Sequence, residues 1–192
     1  NKLCAQVPKE IFLDAVLPYS NLDETRDDWR TDFAARLAPL VKDSPSLADS
    51  AQRLNRNIFE ILKVSYHATK RKKPHQSPRE SMDIGFASCT GLSIILVDAC
   101  RAVGVPARVV GTPLWADKSG NHTWVEIWDG EWMYLAAAEP GDFNKSWFSA
   151  MAAKADPSKP EHRIYAASFQ RTDIPFILPW AEDRTDISAV DV

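Results

Sequence analysis

One cysteine and one histidine are the residues best suited to chemistry in this chain. The segment Cys89-Thr90-Gly91 precedes the strongest helical pattern of the sequence, Leu92 to Val103, so Cys89 lies at the N-terminal end of that helix. At a helix start, unpaired backbone N–H groups favour a thiolate and can bind a developing oxyanion. His122 follows the polar loop 117–121 and opens a segment with the pattern of a strand. A thiolate paired with an imidazolium is a sufficient nucleophile and general acid for chemistry at an amide carbonyl.

Neither residue type is diagnostic by itself. A lone cysteine is most often a small buried hydrophobic residue, and Cys100, in mid-helix, is predicted to be one. A histidine at the start of a strand can simply face solvent. What favours chemistry is position, because Gly85 and Gly91 keep the surroundings of Cys89 open and His122 starts at a sheet edge within reach of a packed helix.

The elements that must position this pair begin with helices. Apolar residues recur every three or four positions over 29–41 and again over 47–62, which predicts two amphipathic helices. The segment 77–80, Ser-Pro-Arg-Glu, has the pattern of a capping box with proline at the first helical position. We therefore expect a short helix that starts at Ser77 and ends at Gly85, followed by the buried central helix.

Beyond Pro106 the pattern changes to period two and to β-branched residues, which predicts strands over 107–112, 122–128 and 132–137. The fold class is therefore α+β: a helical N-terminal part and a central buried helix packed on an antiparallel β-sheet. We expect a single domain over 1–192, with a helical part (1–76), a catalytic core (77–140) and a C-terminal extension that completes the fold (141–192).

The connection between the second and third strands sets the expected register. Asp129-Gly130 is typical of a two-residue hairpin turn, since glycine tolerates positive φ and aspartate is enriched there. With that turn, His122 is expected opposite Ala137, and Trp124 opposite Leu135.

Three motifs together resemble the transglutaminase-like superfamily of cysteine enzymes. They are a cysteine at a helix start, the connection Arg-Ala-x-Gly-x-Pro-Ala-Arg-Val-Val over 101–110, and His-x-Trp-Val-Glu over 122–126 with the Gly-x-Trp hairpin at 130–132. They cover about residues 78 to 140. The resemblance implies a central helix packed on an antiparallel sheet or barrel, in agreement with the order of elements above.

The resemblance also implies a Cys-His-Asp site. Cys89 would be the nucleophile that forms a thioester, and His122 the general base and acid. The family's aspartate ordinarily ends the second hairpin strand, but this chain has alanines at 136–138. Glu139 is the nearest acid and is expected to orient the imidazole; the alternative is an ordinary turn acid before a proline, and Asp142 is the next candidate.

Other residues near the expected cleft are candidates for binding rather than catalysis. Trp115 and Trp124 could flank an extended acyl donor, although large aromatic residues usually serve as core and wall. Asn121 could donate a hydrogen bond to an oxyanion. No Cys or His pair has the spacing of a zinc site, so we expect neither a metal nor another cofactor.

Composition limits the partners. The formal net charge is −3, from 23 basic and 26 acidic residues, which disfavours nucleic-acid binding; the basic run 70–73 is interpreted as a solvated loop. The longest apolar run is too short to span a bilayer, so no membrane partner is expected. The expected partner is a peptide or protein substrate, and the oligomeric state stays open. The chain starts with Asn, so a secreted or periplasmic location is expected only if a signal segment was removed.

We therefore expect attack on a carboxamide or peptide carbonyl through Cys89, followed by hydrolysis or by acyl transfer. Hydrolysis is favoured, because transfer needs a site that excludes water. The alternative is a degenerate domain that has lost the acid and acts as a non-catalytic peptide-binding or structural module. A redox-sensing thiol is a weaker third hypothesis, because no second cysteine is placed to resolve an oxidised Cys89.

Overall fold

A computed structural model describes residues 3–192, and its helices are concentrated in the first half of the chain. Two short 3₁₀ helices lie at Leu3–Gln6 and Pro160–His162. The α-helices are α1 (Lys9–Ala15), α2 (Arg30–Val41), α3 (Leu47–Leu62), α4 (Pro78–Ile84), α5 (Cys89–Ala102) and α6 (Ser149–Ala152). The predicted helices over 29–41 and 47–62 are confirmed as α2 and α3. Within residues 3–192, none of the helices combines the length and apolarity needed to cross a bilayer.

The strands form one large antiparallel sheet and one small parallel pair. They are β1 (Ser65–Tyr66), β2 (Phe86–Ala87), β3 (Ala107–Thr112), β4 (His122–Trp128), β5 (Trp132–Leu135), β6 (Tyr165–Ala167) and β7 (Ala189–Asp191). β1 pairs with β2, and the large sheet has the strand order β5-β4-β3-β6-β7. The α+β class is confirmed. The C-terminal segment contributes β6, which pairs with β3, and β7, which pairs with β6 at the edge of the sheet.

The central helix α5 carries the core. Its side chains from Ile94 to Val97 are fully buried, and it packs against α2 and α3 on one side and against β3 and β4 on the other. Gly91 allows a close approach at its start, since a Cβ there would lie 3.0 Å from the Cβ of Ala87. The helix begins at Cys89, as the sequence predicts.

Local capping signals also behave as predicted. The Ser77 side chain accepts a hydrogen bond from the backbone N–H of Glu80, and the Glu80 side chain accepts one from the backbone N–H of Ser77. Helix α4 then ends at Gly85, whose φ of 74° lies in the left-handed region that glycine tolerates. This short helix brings the chain directly to β2 and the start of α5.

The predicted hairpin register is wrong by one residue. Trp128 pairs with Trp132, and Val125 rather than Trp124 lies opposite Leu135. The turn therefore has three residues, with Gly130 at a φ of 90°, and the Asp129 carboxylate accepts the Ala48 N–H at the start of α3, 3.1 Å away. That long-range contact holds the turn in a form that local turn preferences did not anticipate.

The predicted facing of His122 and Ala137 is wrong for a second reason. Strand β5 ends at Leu135, so the ladder between β4 and β5 stops at Val125. The first residues of β4 pair with β3 instead, and His122 lies opposite Thr112. Residues 136 and 137, predicted as the end of the strand, lie instead in a loop that continues through residue 138.

Candidate active site

Cys89 and His122 line one cavity, between the start of α5 and the start of β4. The cavity has a volume of about 460 Å³. Glu139 and Asn121 line it as well, so four residues singled out from the sequence come together at one place. Strand pairing and helix packing produce this meeting, because α5 packs directly on β4.

The start of α5 presents Cys89 to the cavity. Ser88 is the N-cap, and its hydroxyl oxygen accepts the Gly91 N–H at 3.1 Å. The same hydroxyl donates to the carbonyl oxygen of Pro74, which ties the preceding loop to the helix. Cys89 is half-buried, and N–H groups of the first helical turn have no partner within the helix. This location suits a nucleophile with an adjacent oxyanion site.

The imidazole of His122 lies among aromatic rings. The ring centroids of Trp147 and Phe148 are each 4.8 Å from that of His122, with interplanar angles of 55°. Trp124 and Trp115 lie farther away, at 6.0 and 6.2 Å, and are nearly parallel to the imidazole. Aromatic packing therefore fixes the position of the His122 ring.

The His122 ring is neutral at pH 7. Burial lowers the pKa of His122 to about 4, and its Nε2 atom is buried without a hydrogen-bond partner in the described part of the chain. The sequence predicted an imidazolium that pairs with the thiolate. That prediction is wrong for the resting state, because desolvation disfavours the charged form of the ring. A neutral imidazole with a free nitrogen is suited instead to act as a general base.

Glu139 lies in the cavity wall but does not contact the imidazole by a hydrogen bond. Its side chain is exposed, and its Oε1 atom accepts the indole N–H of Trp147 at 3.4 Å. Trp147 in turn packs on His122, so Glu139 reaches the ring through an intermediate residue. Asp142 pairs with Lys145 at 3.0 Å and is largely exposed. It does not line the cavity.

The loop 136–138, where the family's acid is expected, is held rigidly although it carries only methyl side chains. Buried Asn55 on α3 donates its amide N–H to the Ala136 carbonyl and accepts the Ala138 N–H, both at 2.9 Å. Ala138 has a φ of 65°, a left-handed conformation that is costly for alanine. The backbone is thus positioned beside the cavity without a carboxylate on it.

The two tryptophans expected to bind substrate lie behind the site. Trp115 and Trp124 are 4% and 3% exposed, and they stack in parallel in a small cluster with Phe148. Neither lines the cavity, whereas Trp147, which is 58% exposed, does. The sequence analysis did not single out Trp147. The available signal was its closeness in sequence to Glu139, which precedes it by only eight residues.

Cys89 also lines a second, smaller cavity. Its volume is about 220 Å³, and Pro179 and Trp180 line it but not the first cavity. Cys89, Asn121 and Arg71 line both cavities. Cys89 therefore contributes to two recesses, which can hold different parts of a substrate.

A comparison with protein families identifies the class of protein. The model of the transglutaminase-like superfamily core matches residues 34–137, more than half of the chain, and this range includes both Cys89 and His122. The chain therefore belongs to the transglutaminase-like superfamily. No curated protein matches it.

Several solved structures have a similar fold at low sequence identity. A protein from Cytophaga hutchinsonii, provisionally assigned as a cysteine protease, has a TM-score of 0.51 at 14% identity over 71% of this chain and 44% of its own. A provisionally assigned protease from Parabacteroides distasonis (TM-score 0.43, 11% identity, 76% and 28% coverage) and a TGase (0.45, 14%, 83% and 45%) are also similar. This chain thus spans less than half the length of these structures. At these identities the likeness concerns the fold.

Proposed function

We propose that this protein is a cysteine hydrolase that cleaves a carboxamide or peptide bond through Cys89. The observation that carries the proposal is that Cys89, at the N-terminus of the buried helix α5, and His122, at the first position of β4, line the same cavity. A thiol without a chemical role has no need of this placement. The substrate class is peptide-like, because Cys89 lines two cavities, which can take different parts of a chain that carries the reacting carbonyl.

The reaction has two halves. His122 removes the thiol proton as the Cys89 sulfur attacks the carbonyl carbon, and N–H groups at the start of α5 bind the oxyanion of the tetrahedral intermediate. The C–N bond then breaks, and the imidazolium gives its proton to the departing amine, which leaves a thioester. Water attacks the thioester with His122 as base, the C–S bond breaks, and the acid and the free thiol are released.

Orientation of His122 comes from packing in this proposal. Trp147 and Phe148 hold the ring, and the imidazolium exists only between removal of the thiol proton and its transfer to the departing amine. Glu139 contributes as a positioning residue through its hydrogen bond to Trp147. The site is thus a Cys-His pair, and Glu139 acts on His122 only through Trp147.

Water is the favoured acyl acceptor. Cys89 is half-buried, and Trp147 and Glu139 at the edge of the cavity are exposed, so solvent reaches the position of the thioester. Transfer to an amine needs a site that excludes water while the acyl-enzyme waits. Hydrolysis requires nothing beyond the open cavity.

The rival is a non-catalytic peptide-binding module, and one observation favours it. Alanines occupy 136–138, and in residues 3–192 no carboxylate forms an ion pair or hydrogen bond with His122. The two hypotheses differ in one respect that can be measured, namely whether new carboxyl groups form.

A peptide digest incubated in H₂¹⁸O provides the test. The hydrolase is expected to release peptides with ¹⁸O in newly formed carboxyl groups, and Cys89→Ala and His122→Ala are expected to release none. Methylamine added to the same mixture distinguishes transfer, because methylamide products replace ¹⁸O-labelled acids. Equal ¹⁸O incorporation by the parent and by Cys89→Ala overturns the proposal in favour of the binding module.

A further inference from the structure

The basic run 70–73 is more specific than a solvated loop. Lys70 lies over the ring of Phe86, 5.4 Å from its centroid, and Lys73 pairs with Glu80 at 3.0 Å. Lys72 is exposed. Arg71, in contrast, is half-buried and lines both cavities beside Cys89. One of the four cations therefore belongs to the site.

The guanidinium of Arg71 is fixed at one edge and free at the other. Its Nε donates to the carbonyl oxygen of Ala68 at 3.0 Å. Among the ion pairs of residues 3–192, none includes Arg71. The two terminal nitrogens therefore remain available to a ligand, and their planar arrangement matches the two oxygens of a carboxylate.

The loop that carries Arg71 is attached to the catalytic helix. Gln76 is fully buried; its side chain accepts the Lys72 N–H at 2.7 Å and donates to the Phe86 carbonyl at 3.0 Å. Ser88, the residue before Cys89, donates to the Pro74 carbonyl. Arg71 is thus held in a constant relation to the nucleophile by contacts on both sides of the loop.

We propose that Arg71 binds a carboxylate of the substrate, so that the preferred substrates are peptides with a negative charge close to the scissile carbonyl. This inference rests on the proposed function of the same site. A half-buried arginine in a substrate cavity, with no counter-ion among residues 3–192, gains most from an anionic partner, because charge-assisted bidentate hydrogen bonds are about twice as strong as neutral ones. The carboxylate belongs either to an acidic side chain or to the C-terminus of a peptide.

Alkylation of Cys89 tests this proposal without requiring turnover. Iodoacetate and iodoacetamide are close in size and differ in charge, and each alkylates the thiolate with loss of iodide. We expect Arg71→Gln to lower the ratio of the iodoacetate rate to the iodoacetamide rate roughly tenfold, which corresponds to about 1.4 kcal/mol. The ratio cancels any change in the thiolate population, because both reagents need the thiolate.

Lys72→Gln is the matched control. It removes one positive charge from the same loop at a side chain that is exposed and lines neither cavity, so its rate ratio is expected to stay within about twofold of the parent at 0.15 M salt, where exposed charges are screened. An unchanged ratio in Arg71→Gln, or an equal fall in both variants, overturns the proposal.

Peptide protection distinguishes the two sources of the carboxylate. Acetyl-Ala-Ala with a free C-terminus, its C-terminal amide, and acetyl-Asp-Ala amide compete with iodoacetamide for Cys89. Protection by the first peptide alone identifies a C-terminal carboxylate, and protection by the third identifies an acidic side chain. Protection that is equal in the parent and in Arg71→Gln counts against the proposal. Failure of this test leaves the ¹⁸O experiment unaffected, so the two conclusions can fail separately.

Discussion

The side-chain hydroxyls of Thr90 and Thr123 lie 3.0 Å apart and join helix α5 to strand β4. Thr90 directly follows Cys89, and Thr123 directly follows His122. Both threonines are buried, so this hydrogen bond is shielded from water. It fixes the two elements at the point where the nucleophile and the base must meet, and small displacements there are costly for catalysis.

Replacing either threonine with valine is expected to lower the free energy of unfolding by about 1–3 kcal/mol, because the remaining buried hydroxyl loses its partner. The double variant Thr90→Val/Thr123→Val removes both hydroxyls and is expected to be more stable than either single variant. Urea unfolding measures all three. A double variant whose loss equals the sum of the single losses contradicts a direct interaction.

The three thiols are expected to differ sharply in reactivity. Cys100 is fully buried, and burial raises the pKa of its thiol to about 12, so iodoacetamide reaches it only after unfolding. Cys89 is half-buried at a helix start and is expected to be the most reactive thiol, with half-buried Cys4 as an internal comparison. Peptide mapping after timed alkylation at pH 6.5 gives the order. Labelling of Cys100 at the same rate as Cys89 removes the argument for an activated thiol.

Cys89 and His122 are expected to act as a unit. Each alanine substitution should abolish turnover, and the double substitution should cost little more than either one, as for other catalytic groups that act together. The measurement is the initial rate of ¹⁸O incorporation with each variant. Losses that add on a logarithmic scale indicate two independent sites.

Glu139 and Trp147 are expected to be coupled. Because the carboxylate acts through the indole N–H, Glu139→Gln, which keeps an acceptor oxygen, should slow acylation by less than about tenfold. Trp147→Ala should have the larger effect, since it removes the ring that holds His122. Asp142→Asn serves as the control, because Asp142 does not line the cavity.

In the Trp147→Ala variant, Glu139→Gln should cause no further loss of acylation rate, since the indole that connects the carboxylate to the imidazole is already absent. The rate constant, rather than KM, should carry these effects, because orientation of the base matters most in the transition state. An undiminished effect of Glu139→Gln without the indole indicates that the carboxylate reaches His122 directly.

The pKa of His122 is about 4 in the folded protein, which predicts that the acid limb of the pH–activity profile is shifted to lower pH. Activity should fall only as the pH approaches 4, since the neutral ring is the base, and not near the ordinary histidine value of about 6.5. Trp147→Ala admits water to the ring and should raise the His122 pKa toward 6.5. Proton NMR of the imidazole resonances follows both titrations, with His122→Gln for assignment.

The same pKa has a consequence for stability. The unfolded chain takes up a proton on His122 at about pH 6.5 and the folded chain only near pH 4, so this residue destabilises the fold as the pH falls between those values, by up to roughly 3 kcal/mol. His75 also has a lowered pKa, mainly through burial, and contributes in the same direction. The difference between the parent and His122→Gln isolates the share of His122. A difference that is independent of pH contradicts the buried neutral ring.

Features with local causes could be predicted from the sequence. The capping box at Ser77, the left-handed end of α4 at Gly85 and the start of α5 at Cys89 each depend on residues within four positions. The class of fold and the meeting of Cys89 with His122 follow from these elements together with the family motifs.

Features with long-range causes could not be predicted in this way. The hairpin register depends on a contact between Asp129 and Ala48, which lie 81 positions apart. Arg71 and Trp147 lie in irregular segments without periodicity, so no sequence pattern indicated that their side chains line the cavity. The environment that neutralises His122 combines rings from β4 and from the loop before α6, and only the folded chain assembles it.

The exposure of Trp147 makes the site directly visible to fluorescence. Of the seven tryptophans, Trp147 is exposed, whereas the other six are buried or half-buried. A collisional quencher such as acrylamide therefore acts first on an indole that lines the cavity. Any ligand that fills the cavity shields that indole, so occupancy of the site can be titrated by loss of quenching, with the unmodified protein and without a chromogenic substrate.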